Sequence, residues 1–215
     1  MISAQTTNNK NTMRLNDMGK IIPLLALVFG LLMSLHASWL PAKAWLSQQL
    51  IYHSWQQALA AQEQGTAPLA IKPWPWADTF ALAELSVPRL AKNIVLLNGG
   101  DATSLAFSAA AIAPFNQSHA EQPFVVAGHR DSHFAFLQQL LLKDIINLTD
   151  VHGHQQSYQV TAIRVIDGTA AHLPLPANGA HLVLITCYPF QGITATADQR
   201  YLVIATPLAS KSGEN

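Results

Sequence analysis

His181-Leu182-Val183-Leu184-Ile185-Thr186-Cys187, followed by Tyr188-Pro189-Phe190, is a short apolar run stopped by a proline. It is too short for a typical helix, and Val, Ile and Thr favour extended backbone, so it predicts a buried strand. Asn178-Gly179 just ahead of it is a turn signal. Cys187, the one cysteine among 215 residues, stands at the strand's end.

Working outward, similar runs recur on both sides: AELSV (83–87), NIVLLN (93–98), PFVVAGH (123–129), DIINLT (144–149), SYQVTAIRVI (157–166) and RYLVIATP (200–207). Asp150 to Gly153 reads as a hairpin turn. Many short strands separated by turn residues predict a mainly β sandwich or barrel. Two stretches, 101–113 and 134–142, break the pattern and read as helical. The β-domain is expected over 73–208, with a tail over 209–215.

The N-terminal part differs. Residues 1–20 carry Lys10, Arg14 and Lys20 against Asp17, and Ile21 to Leu40 contains no charged residue. About 20 apolar residues cross a bilayer core as a helix. A transmembrane anchor over 21–40 is therefore expected, with a cytoplasmic tail over 1–20 and the remainder exported, because the positive flank stays inside. A cleaved signal peptide is the alternative, with Ala42-Lys43-Ala44 as its small-x-small site; the length of the apolar run favours the anchor. Trp45, Leu46, Leu50, Ile51, Trp55 and Leu59 follow helical spacing, which predicts a juxtamembrane amphipathic helix within 41–72, ending near Gly65.

Charge excludes some functions. Lys+Arg and Asp+Glu balance at 12 each, so no basic footprint for nucleic acid exists. His129 and His133 are four apart but lack the glutamate of a zinc-protease motif. His152-Gly153-His154 falls in the expected hairpin turn, and one cysteine excludes a Cys-rich zinc site. No metal or other cofactor is expected.

A lone cysteine in an exported chain forms an intermolecular bridge, is buried and inert, or is reactive. Two other strand ends bear on the choice. FVVAGH ends at His129, and Arg200 opens RYLVIATP. A thiol attacks as its thiolate, which an adjacent histidine promotes. A guanidinium is always charged and offers a fork of donors to a developing oxyanion. Cys, His and Arg are sufficient for acyl transfer through a thioester.

On these residues the chain resembles the sortase family. Ile185-Thr186-Cys187 resembles the TLxTC motif, and Ala127-Gly128-His129-Arg130-Asp131 the histidine segment. Arg200 lies 13 residues after the cysteine, as the family arginine does. The segment from Lys72 to Thr79, KPWPWADT, together with Val87-Pro88-Arg89-Leu90, resembles the Gram-negative subgroup, class GN. The chain departs from the family at Lys143-Asp144, where a Gly-Asp pair is common.

The resemblance implies a closed eight-stranded β-barrel with short helices. It implies a cysteine transpeptidase of the endopeptidase type that cleaves an LPxTG-like C-terminal sorting signal. Cys187 would be the nucleophile, His129 the acid/base and Arg200 the oxyanion or positioning residue, with Thr186 lining the substrate site. The partners would be an exported protein bearing the signal, an amine acceptor, and the inner membrane, with the catalytic domain periplasmic. The loop 167–180 is expected to help choose the substrate. An L,D-transpeptidase would place its cysteine in a different context, SxGCxR. A non-catalytic β-domain that binds an envelope protein would have no need of a reactive thiol.

Overall fold

The computed structural model describes residues 10–65, 70–117, 121–169, 175–176, 179–191 and 198–209, with side chains described from residue 21 onward. Eight strands form the domain: β1 (Ala81–Val87), β2 (Lys92–Asn98), β3 (Ala110–Ala111), β4 (Phe124–Ala127), β5 (Ile145–Asp150), β6 (Gln155–Asp167), β7 (Leu182–Tyr188) and β8 (Gln199–Pro207). They close into a barrel in the order β1-β2-β3-β4-β7-β8-β6-β5. Two neighbouring pairs are parallel, β2 with β3 and β4 with β7; the rest are antiparallel. Following these directions around the barrel, β1, β4, β6 and β7 end at one rim, where β2, β5 and β8 begin.

Seven strands coincide with the expected runs to within a few residues. The eighth lies inside the stretch read as helical, 101–113. There the helix α2 spans only Ala102–Phe107. Asp101 caps its start, accepting hydrogen bonds from the Thr103 and Ser104 amides. Ser108 then adopts an extended conformation and ends it. Ala110 and Ala111 form β3 between β2 and β4, fully buried. A strand of two alanines carries no period-two signal, and alanine favours helix in isolation. The stretch 134–142 is helical only as a 3-10 segment, Ala135–Gln139.

The N-terminal helix α1 runs unbroken from Lys10 to Glu63 and contains Pro23 and Pro41, whereas an anchor and a separate helix were expected. A helix-interior proline removes one hydrogen bond without necessarily ending the helix. The chain divides into two compact units, residues 1–46 and 47–215. In the first, the apolar side chains from Ile21 to Leu46 are exposed. The helix is long and apolar enough to cross a membrane, with a best 18-residue window of mean hydropathy 2.1. In the second, Ile51 and Trp55 are buried with Ala81, Val95, Leu97 and Ala110.

Alternation on β7 separates two apolar layers. Leu182 and Leu184 join the barrel interior with Leu85, Leu96, Val126 and Val203. Val183 and Ile185 join an outer layer with Val125, Leu202 and Ile204. Side chains two apart share a face, so Cys187 continues the outer layer. The segment after His129 crosses the same rim and feeds Phe134, Phe136, Leu137 and Leu140 into the interior.

Candidate active site

Three strand ends meet at that rim. Cys187 on β7 stands directly opposite Arg200 on β8 in the antiparallel register. On its other side β7 pairs with β4 in parallel, the last pair being Ala127 with Ile185. The Gly128 amide donates to Ile185 O at 3.2 Å, which carries the pairing one residue further. His129 and Cys187 are each two residues beyond that last pair. By alternation both follow the outer-layer residues of their strands, Val125 and Ala127 on β4, Val183 and Ile185 on β7. Arg200 likewise shares its face with Leu202 and Ile204. Cys187 is half-buried, as is Arg200, and His129 is exposed.

The histidine turn is held at several points. Thr186, expected to line the substrate site, is buried, and its hydroxyl donates to Gly128 O at 2.7 Å. That bond ties the residue before the cysteine to the residue before the histidine. The Phe134 amide donates back to His129 O at 2.9 Å. Arg130 donates from Nη1 to Pro189 O at 2.7 Å, joining the turn to the segment after Cys187. Gly128 is required by packing: a Cβ there would lie 2.8 Å from the Phe134 ring. His133 lies close enough to His129 for charge to be felt. Burial, then the neighbouring His129, push its imidazole below the ordinary histidine value, while Asp131 pulls it up.

The arginine has its own supports. Arg200 donates from Nη1 to Gln199 O at 3.0 Å. The Gly168 amide, just past β6, donates to Asp198 O at 2.5 Å, which fixes the start of β8 against the end of β6. Beside these strand ends Tyr188, Phe190 and Tyr201 form an aromatic cluster; Phe190 meets Tyr201 edge-on at 5.0 Å. Burial, then Tyr188, raise the Tyr201 phenol above its ordinary value.

The sequence reading quoted Gly128 and Arg130 only as parts of the histidine segment, without a role, and did not single out this aromatic cluster. A glycine immediately before a strand-end histidine was a usable signal, because an isolated glycine there marks a close approach. The aromatic cluster had none, since its members become neighbours only through the β7–β8 register. At the hairpin, Asp150 accepts from the His152 and His154 amides, which makes it a turn cap. Among the described residues no group of three or more His, Cys, Asp or Glu is placed to hold a metal ion.

A family model, the Sortase domain, matches residues 85–208, more than half of the chain. The chain belongs to the sortase family. Solved sortases share its fold. Sortase A from Corynebacterium diphtheriae superposes with a TM-score of 0.56 at 19% identity, covering 81% of this chain and 95% of that one. A sortase D5 transpeptidase from Clostridium perfringens gives 0.58 at 13% identity, covering 76% and 98%. Sortase C from Clostridium perfringens, solved with the C-terminal cell wall sorting motif, gives 0.53 at 15% identity, covering 74% and 88%. No curated protein sequence matches the chain. The eight-stranded barrel implied by the family resemblance is the barrel observed, and the protein is a sortase-type cysteine transpeptidase.

Proposed function

We propose that this sortase is a membrane-anchored transpeptidase that cleaves an LPxTG-like C-terminal sorting signal through a thioester on Cys187. The observation that carries the reading is the register at one rim: Cys187 opposite Arg200 on one side, and His129 reached through the β4–β7 pairing on the other. In the first step the Cys187 thiolate attacks the scissile carbonyl carbon and the carbonyl electrons move onto oxygen. Arg200 donates hydrogen bonds to that oxyanion or to the carbonyl oxygen of the bound signal. The intermediate collapses, the C–N bond breaks, and His129 protonates the leaving amine. In the second step an amine acceptor attacks the thioester carbonyl. His129 takes its proton and the thiolate leaves.

Thr186 borders the acyl site and, through its bond to Gly128 O, keeps the histidine turn against β7. The sorting signal lies over the outer face of these strands, where Leu175 and Pro176 border a cavity of about 400 Å³ with Ile204. Lys72 to Thr79 and Val87 to Leu90 carry the likeness to class GN. The apolar part of α1 anchors the enzyme in the inner membrane with the barrel in the periplasm. The substrate is an exported protein bearing the signal.

The test uses the full chain in detergent with LPxTG-like peptides and a primary amine. Wild type is expected to release the C-terminal fragment and to carry the N-terminal fragment as a hydroxylamine-labile adduct on Cys187, visible by intact mass. Cys187→Ala is expected to do neither. Cleavage retained by that variant would overturn the mechanism.

A further inference from the structure

Gly168 lies just beyond β6, where Ile166 pairs with Arg200 across the β6–β8 ladder. A Cβ at Gly168 would fall 2.9 Å from both Cγ and Cζ of Arg200, and 2.8 Å from Asp198 O. Real Cβ contacts do not come this close. The arginine side chain therefore lies directly over the glycine, from the root of its stem to its guanidinium carbon. The backbone at Gly168 is outside the left-handed region, so conformational freedom does not explain a glycine here. The close approach does.

We propose that Gly168 is a positioning residue for Arg200: its missing side chain is the space in which the guanidinium lies, at the rim where Arg200 stands in register with Cys187. The proposal rests on the reading of Arg200 as the oxyanion or substrate-positioning group. A methyl group at 168 meets two kinds of neighbour. The Asp198 carbonyl is backbone, held by the Gly168 amide itself. The guanidinium is the far end of a long side chain, so the contact at Cζ is relieved by moving it, whereas the Asp198 carbonyl shifts only with the start of β8. Relief of the contact then moves the group whose position matters, and the barrel core, which Gly168 does not enter, stays packed. Gly168 thereby links the loop 167–180, read from sequence as a chooser of substrate, to the chemistry at the strand ends.

A double-mutant cycle tests this. Pre-steady-state acylation of Cys187 by an LPxTG-like peptide is measured for wild type, Gly168→Ala, Arg200→Ala and the double variant, with alkylation of Cys187 by iodoacetamide and thermal midpoints as controls. Gly168→Ala is expected to slow acylation roughly 10- to 100-fold, since displacement of a reacting group by about 1 Å costs that order of rate. Its alkylation rate is expected to stay near wild type, and its thermal midpoint to fall by the same amount in both backgrounds, since the Asp198 carbonyl is crowded in each. In the Arg200→Ala background, where no guanidinium remains to displace, the same substitution is expected to change acylation less than 2-fold. Equal losses in both backgrounds would mean that Gly168 acts through the backbone alone, and would overturn the proposal, as would wild-type acylation by Gly168→Ala. Wild-type acylation by Arg200→Ala would instead overturn the role of Arg200 itself.

Discussion

Two arginines stand at one barrel rim. Arg89 follows β1 and meets Asp144, just before β5, through two short bonds, Nε to Oδ1 at 2.5 Å and Nη2 to Oδ2 at 2.6 Å. The same nitrogen also donates to Gln139 O, and the Leu141 amide donates to Asp144. Arg200 opens β8, donates to a main-chain carbonyl beside it, and lies over a glycine. The first is closed on a buried carboxylate by a planar fork that fits it twice over. The second is placed by strand register and by space. Between them runs a single segment, from His129 at the end of β4 to Asp144 at the start of β5. One arginine fixes the far end of the segment that carries the histidine; the other stands in register with the cysteine.

The sharpest way to break this comparison is to exchange both arginines for lysine, which keeps the charge and removes the fork. Arg200→Lys is expected to lower kcat/KM on the order of 100-fold, the scale for losing an oxyanion donor, with little change in the thermal midpoint. Arg89→Lys is expected to lower the midpoint by several degrees while activity per folded molecule stays within a few-fold of wild type. Calorimetry beside peptide-cleavage assays reads both, and equal effects would erase the distinction.

A smaller effect separates the two corners by pH. The hydrogen bond from Arg89, then the Leu141 amide, hold the Asp144 carboxyl below the ordinary carboxylate range despite its burial. A carboxylate depressed in the folded state stabilises above its unfolded value of about 3.9, and that stabilisation disappears as pH falls through the folded value. Asp144→Asn is therefore expected to lower the thermal midpoint near neutrality and to flatten its fall below about pH 4. A melting series from pH 2 to 7 checks it; parallel curves for the two proteins would contradict the pairing.

The smallest effect lies next door. Lys143 has φ of 74°, in the left-handed region where a Cβ crowds the following carbonyl. This is the position at which the sequence departs from the family's Gly-Asp pair. Lys143→Gly is expected to stabilise by about 1 kcal/mol or less, the relief being partly offset by the glycine's greater freedom when unfolded. Denaturant midpoints measure it, and a clear loss of stability would show that the lysine side chain contributes more than its backbone costs.

What the sequence revealed follows from how local each signal is. Seven strands were legible by their burial: β4, β7 and β8, covered on both faces, read as continuous apolar runs, whereas β1 and β5, with one buried face, alternate. Ala110–Ala111 was not, because two alanines fit between Leu97 and Ala127 only in the closed barrel. Cys187, His129 and Arg200 were legible as strand-end residues in the order of the family, and the register now sets the cysteine between the other two strands. Gly168 and the bond from Thr186 to Gly128 were not legible as parts of the site. Both depend on two strands distant in sequence lying side by side, which spacing along the chain cannot encode.

The crossing from His129 to Asp144 has a further consequence. Phe134, Phe136, Leu137 and Leu140 on this crossing are among the buried residues of the barrel interior, and Phe134 both donates to His129 O and packs on Gly128. The histidine is thus mounted on the stopper of the barrel. A motion that lifts the stopper would carry His129, the proposed proton carrier, away from the thiol while the strand ladders stay paired. A partly opened molecule is then a disarmed one, its thiol kept from chemistry it was not folded to perform.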